Sequence, residues 1–216
     1  MILLSGFEPF GGEETNPSWL AVQRLAGERV APRGVGGDPR EEVVAVRLPC
    51  TFAGAWAELA RAIEEHRPRA VVAVGLAAGT THVRLERVAV NVVDARIPDN
   101  DGAAPVDVPV VPGGPAAYFS GLPLKSTLAA LREDELPAVV SNTAGTYVCN
   151  ATFYALMDHV ARHEPHLVAG FVHVPRATSE PGEGMSLDQI VGALRTVAAA
   201  ALVDGPEPAL SGGTEA

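Results

Sequence analysis

The sequence predicts a single α/β domain, a three-layer α/β/α sandwich around a largely parallel sheet. Short apolar runs alternate with amphipathic segments along the chain, the order that βαβ units produce. Two of the runs, Ala70 to Leu76 (AVVAVGL) and His166 to Val174 (HLVAGFVHV), are almost free of polar residues, as strands covered on both faces by helices are. The chain has 216 residues, 47% hydrophobic and 19% charged, enough for one well-filled core and without the break in composition that would mark a second. The domain is expected over 1–203, and 204–216, rich in Gly and Pro, reads as a disordered tail.

In chain order, Met1 to Ser5 is a short apolar strand that runs into Gly6-Phe7-Glu8-Pro9-Phe10-Gly11-Gly12, a loop at the carboxyl edge of the sheet, where ligands of α/β folds bind. Asn16-Pro17 is a helix cap followed by proline at the first helical position, opening a helix to about Leu25. The stretch 32–40 reads as a mobile connection to a strand over 42–48. Phe52 to His66 has the spacing of an amphipathic helix, stopped by Pro68, and the central strand 70–76 follows. Residues 79–114 are irregular, with a strand-like alternation over 85–91 and a polar loop over 94–102; a loop this long in a compact domain points to function. Residues 115–132 read as a helix in two pieces interrupted at 121–123. A buried strand over 138–142, a helix over about 150–163 and a strand over 166–174 come next, and Ser186-Leu187-Asp188-Gln189 forms a capping box that opens a last helix to about 203.

Composition narrows the function. With 26 acidic and 16 basic residues the formal charge is −10, and the basic residues are scattered, so neither nucleic acid nor an acidic membrane is an expected partner. The N-terminus lacks a signal-peptide pattern and no apolar run reaches spanning length, which reads as a cytoplasmic protein. No cofactor is expected, since the glycine-rich stretches lack the order of a nucleotide-binding loop. No metal is expected either: His159 and His163 form an i, i+4 pair, but the sequence supplies no third ligand.

The chemistry centres on SNTAGTYVCN, 141–150. A thiol at Cys149, at or next to the start of a helix, sits where the partly positive helix end favours thiolate. Taking 138–142, 150–163 and 166–174 as one βαβ unit, the two strands are expected to lie parallel, bringing His173 to the same sheet edge as Cys149. Thiol and imidazole together suit acyl transfer. A third group to orient the imidazole is offered by Glu86 or Asp94, and Glu86 lies in the better-anchored segment. Each residue also has an ordinary structural reading: Cys149 as a buried thiol, His173 as a strand-end histidine, Glu86 as a surface partner of Arg84 or Arg87, Phe7 and Phe10 as core.

The stretches SGFEPFGGEETNPSW, LERVAVNVVDARIPDNDG, GGPAAYFSGLP, SNTAGTYVCN and GFVHVP, in this order over about 5–175, resemble the type I pyroglutamyl peptidases, or pyrrolidone carboxyl peptidases. The resemblance implies a Cys-His-Glu triad on Cys149, His173 and Glu86, and removal of an N-terminal pyroglutamyl residue from peptides without metal or cofactor, commonly by a homotetramer. It also implies a substrate pocket from Phe7, Phe10, Ile97, Tyr147 and Val148, with Asn16 nearby and Arg96 close to the cysteine. Leu76 stands where many members have a glutamine, Ala151 where a histidine is usual, and Arg176-Ala177-Thr178-Ser179-Glu180 replaces a more aromatic run. Two other readings stand beside the peptidase: a silent relative that binds lactam-capped peptides, and a cysteine amidase of different specificity.

Overall fold

The computed structural model describes residues 1–33, 40–178, 183–203 and 205–212. In chain order the elements are β1 (Ile2–Phe7), α1 (Pro17–Leu25), β2 (Arg29–Val30), β3 (Glu41–Leu48), α2 (Gly54–His66), β4 (Ala70–Leu76), β5 (Val83–Glu86), β6 (Val88–Val90), β7 (Ala117–Phe119), α3 (Leu124–Glu133), β8 (Ala138–Ser141), α4 (Val148–His163), β9 (Val168–Val174) and α5 (Leu187–Ala200). Seven strands form one sheet in the order β2-β3-β1-β4-β9-β5-β8, and β6 pairs with β7 in a separate ribbon. The apolar side chains divide into two cores. One packs α1, α3 and α5 against one sheet face; the other packs α2 and α4 against the opposite face. This is the expected three-layer arrangement, and β4 is buried at every position, as its composition requires.

Local chemistry accounts for several boundaries. Asn16 caps α1 by accepting from the Ser18 N–H, with Pro17 at the first helical position. Ser186 and Gln189 form the complete capping box at the start of α5. Helix α3 begins after Pro123 without a side-chain cap of its own, and Glu207 Oε2 accepts from the Lys125 and Ser126 N–H groups at 2.6 and 2.8 Å. Of the tail read as disordered, 204 and 213–216 lie outside the described residues, whereas 205–212 lie along α3, with Leu210 against the core. Glu207→Ala is therefore expected to cost about 1 kcal/mol in chemical denaturation, the usual loss for a helix N-terminal acceptor.

Three expectations are corrected. Residues 117–119 form strand β7, paired antiparallel with β6, and not a helix. Its alternation puts Tyr118 inward, where the ring packs on Tyr154 at 5.1 Å and the hydroxyl donates to Asp158 at 2.8 Å, so contact with α4 decides the local conformation. The run 85–91 is split between two sheets, β5 ending at Glu86 and β6 starting at Val88. Third, β8 does not run parallel to β9: β5 lies between them, antiparallel to β9 and parallel to β8. The cause is the connection 77–82, too short to hold a crossover helix, which turns the chain back on itself after β4. The expected mobile connection, 32–40, lies at 34–39 outside the described residues.

Candidate active site

The sheet register brings the predicted groups together by a different route from a parallel βαβ unit. Strands β4 and β9 run parallel with Gly75 opposite His173, and β9 and β5 run antiparallel with Arg84 opposite His173 and Glu86 opposite Phe171. Side chains two apart share a face, so Arg84, Glu86, Phe171 and His173 lie on the sheet face that α4 covers. Ser141, at the end of β8, is level with Glu86 and Phe171. Residues 142–147 then carry the chain back to the level of His173, where α4 starts at Val148, putting Cys149 in its first turn.

Gly75 shows how closely the groups approach. A β-carbon there would lie 2.8 Å from Cys149 Sγ, 2.9 Å from Phe171 Cζ and 3.1 Å from His173 Cδ2. Thiol and imidazole thus meet over a position where only glycine fits. The ring carbon at this meeting point is bonded to Nε2, which leaves Nδ1 for the other side, and Nδ1 lies 2.9 Å from Glu86 Oε1. An ionised carboxylate only accepts, so Nδ1 carries the hydrogen and the Nε2 lone pair is left for the thiol side. Phe171 backs the imidazole at 4.9 Å between ring centroids, with Phe153 and Phe7 behind it at 5.7 and 6.4 Å.

The electrostatics are mixed. Burial pushes the Cys149 thiol well above the ordinary range, Cys50 and Glu86 act in the same direction, and the Cys149 backbone N–H in the first turn of α4 opposes them. Cys50, 2% exposed, is pushed up to about 12, chiefly by burial and then by Glu8 and Asp99. Both cysteines are free. Tyr147 is likewise raised to about 12, mainly by burial, so its phenol stays a neutral donor, bonding the Pro98 carbonyl at 3.0 Å.

The residues expected to line the pocket fall into two groups. Phe10, Ile97 and Tyr147 are half-buried on converging loops: Phe10 packs on Tyr147 at 6.0 Å, and Ile97 Cδ1 stands 3.7 Å from where a β-carbon on Gly11 would be. Phe52, not singled out in the sequence, closes on Tyr147 edge-on at 5.4 Å. Phe7 and Val148 are buried in the core beneath. Asn16 is buried and engaged by its own loop, donating to the Glu8 carbonyl and accepting from Ser18 Oγ. Arg96 is exposed and has no hydrogen bond or ion pair among the described residues. Leu76 lines a cavity of about 320 Å³ with Thr15, Pro17 and Arg176, near α1.

Three polar residues that the sequence reading did not single out hold the loops in place. Asn150, fully buried, donates to the Val90 and Val92 carbonyls and accepts from the Val90 N–H, fastening the start of α4 to the β6 segment. Asp99 accepts from the N–H groups of Phe52, Asp101 and Ala103. Asn100 donates to Glu8 Oε1 and the Pro9 carbonyl, tying the loop after β1 to the loop that carries Ile97. The signal for Asn150 was its place next to Cys149; a polar amide in the first turn of a buried helix needs partners.

Comparison with known proteins agrees with the motifs over nearly the whole chain. Residues 1–204 match the family described as pyroglutamyl peptidase. The pyrrolidone-carboxylate peptidase of Klebsiella pneumoniae is 47% identical over 98% of this chain and 97% of that one. That of Bacillus subtilis is 42% identical over 99% and 97%. The crystal structure of Bacillus amyloliquefaciens pyroglutamyl peptidase I superposes with a TM-score of 0.84 at 43% identity, covering 93% of this chain and 95% of that one. A mutant pyrrolidone carboxyl peptidase from Pyrococcus furiosus gives 0.84 at 37% identity, covering 93% and 97%. A match of this length, on a fold that superposes this closely, means that the chain belongs to the pyroglutamyl peptidase family.

Proposed function

We propose that this chain removes the N-terminal pyroglutamyl residue from peptides as a cysteine peptidase, with Cys149 as nucleophile, His173 as acid and base, and Glu86 holding the imidazole. The observation that supports this reading most is the convergence of the Cys149 thiol and the His173 ring over Gly75, with Glu86 on the far ring nitrogen. Since burial disfavours a standing thiolate, the proton passes from Sγ to His173 as the sulfur attacks the pyroglutamyl carbonyl carbon. The N–H groups in the first turn of α4 have no carbonyl one turn back to bond and are the donors available to the oxyanion. His173 then gives its proton to the leaving amine as the C–N bond breaks, leaving a thioester on Cys149. Water, losing a proton to the same imidazole, attacks the thioester; pyroglutamate leaves and the thiol is restored. Phe10, Ile97 and Tyr147 suit a small neutral lactam, with Phe7 and Val148 beneath them and Asn16 and Arg96 contributing from the flanking loops.

A homotetramer, as the resemblance implies, is supported by the exposed apolar side chains Val106, Val108 and Phe119, the last 72% exposed. A cytoplasmic location fits two free thiols, one of which the mechanism needs reduced. No helix among the described residues is long and apolar enough to cross a membrane.

A chromogenic pyroglutamyl amide tests the function directly. Amine is expected to be released by untreated protein and not by protein treated with iodoacetamide. Cleavage of another blocked amide with none of the pyroglutamyl compound would instead favour the amidase, and binding without release the silent relative.

A further inference from the structure

Glu86 does not face His173 alone. Arg84, two residues earlier on β5 and on the same sheet face, brings Nε to 3.4 Å from the same Oε1 that meets the imidazole. Its Nη2 donates to Ser141 Oγ at 2.7 Å and to the Thr143 carbonyl at 3.2 Å. Ser141 Oγ in turn donates to the Thr143 carbonyl and accepts from the Thr143 N–H. One guanidinium therefore spans the carboxylate that orients the imidazole and the turn that leads into the Cys149 helix.

The carboxylate needs this neighbour. Glu86 is fully buried, and its Oε2 has no hydrogen-bond partner among the described residues. A buried carboxylate beside a neutral imidazole and no cation tends to take up a proton, because the desolvated charge is uncompensated. Arg84 supplies the compensating charge while 30% of its side chain stays in contact with solvent. Among the described residues, the other titratable groups around this centre are Cys149 on α4, Tyr147 just before it, Cys50 before α2, and His82, whose pKa is held below the usual range by burial and by the Arg84 charge. Of these neighbours, Arg84 is the standing cation.

We propose that Arg84 is a positioning residue for the Cys149–His173 couple, its charge compensating the buried Glu86 carboxylate and its Nη2 fixing the 141–143 turn. This rests on the thiol chemistry assigned to Cys149 above. Without the cation, the buried Glu86 carboxylate faces the imidazole with its charge uncompensated, and the contact with Nδ1 that leaves Nε2 for the thiol is weakened. The acid limb of activity then moves upward.

The test compares wild type, Arg84→Gln and Arg84→Lys from about pH 5 to about pH 9. Two profiles are recorded: kcat/KM for a pyroglutamyl amide, and the rate of Cys149 alkylation by iodoacetamide, which needs no substrate. Arg84→Gln is expected to lower kcat/KM about tenfold and to move the acid limb of both profiles up by about one pH unit. Arg84→Lys keeps the charge but not the planar fork, so its limb stays at the wild-type position while kcat falls by a smaller factor. Arg84→Met, which keeps the packing of the stem, carries the same expectation as Arg84→Gln should that variant not fold. The proposal is overturned by a charge-removing variant with the wild-type limb, or by Arg84→Lys as impaired as Arg84→Gln with neither limb moved. Wild-type protein inactive on pyroglutamyl amides, yet with alkylation profiles that shift as described, would remove the assigned substrate and leave the role of Arg84 standing.

Discussion

Cys149→Ala is expected to lower release of amine from a pyroglutamyl amide by about ten-thousand-fold or more, the scale on which removal of a nucleophile acts. Stability should change little, since a cysteine side chain in the first turn of α4 is replaced by an apolar group only one atom smaller. Retained activity would remove Cys149 from the reaction. The same thiol also gives a pH signature. Burial raises its pKa, so the neutral form dominates well into the alkaline range, and reactivity near neutral pH depends on a neighbour that accepts the proton. His173→Ala is therefore expected to slow alkylation of Cys149 near neutral pH and to leave a rate that keeps climbing with pH as the thiol ionises unaided. Cys50, buried and with its pKa near 12, should stay unmodified in the native protein throughout.

Gly75→Ala is expected to lower kcat/KM about a hundredfold, the scale on which misplacement of reacting groups by roughly 1 Å acts. The added methyl falls within 3.1 Å of three atoms at once: the thiol sulfur, the tip of Phe171 and the imidazole carbon next to Nε2. Phe171 is fully buried against Phe7 and Phe153 and has little room to yield, so the displacement falls on Cys149 and His173. Overpacking of this kind costs about 1–3 kcal/mol of stability as well. Kinetics measured well below the melting temperature separate the two effects: the loss should persist in kcat on fully folded protein. A folded variant with wild-type kcat would show that thiol and imidazole do not depend on the space above Gly75.

Much of the layered fold is legible in the residues, because β4 and β9 are short, strongly apolar and bounded by proline or glycine, and because Asn16-Pro17 and Ser186 to Gln189 carry their own caps. Strand direction is not, and the reason is specific. β5 is only Val83–Glu86, its alternation runs on into β6 without a turn signal, and its direction is set by the short connection from β4. Composition is silent on which strands that segment will separate. The candidate site divides in the same way. Cys149 and His173 stand out as reactive types at element ends, whereas Glu86 is one of two acidic candidates by position and is singled out by the family motif. Arg84 looks like an ordinary surface cation until the register places it opposite His173 and beside Ser141. Phe7 and Val148 look like pocket walls in the motif and lie in the core, because both fall at positions whose side chains point inward beneath the loops.

The thioester is the species on which the proposed mechanism turns, and it can be caught. Protein mixed with a pyroglutamyl amide, quenched in acid within the first turnovers and digested, is expected to yield the peptide containing Cys149 with the pyroglutamyl acyl group attached. The adduct should be missing from Cys149→Ala and should accumulate when His173→Ala slows its hydrolysis more than its formation. Turnover of the amide with no acyl group on Cys149 under any quench, or with the group on another residue, would contradict nucleophilic catalysis by this thiol.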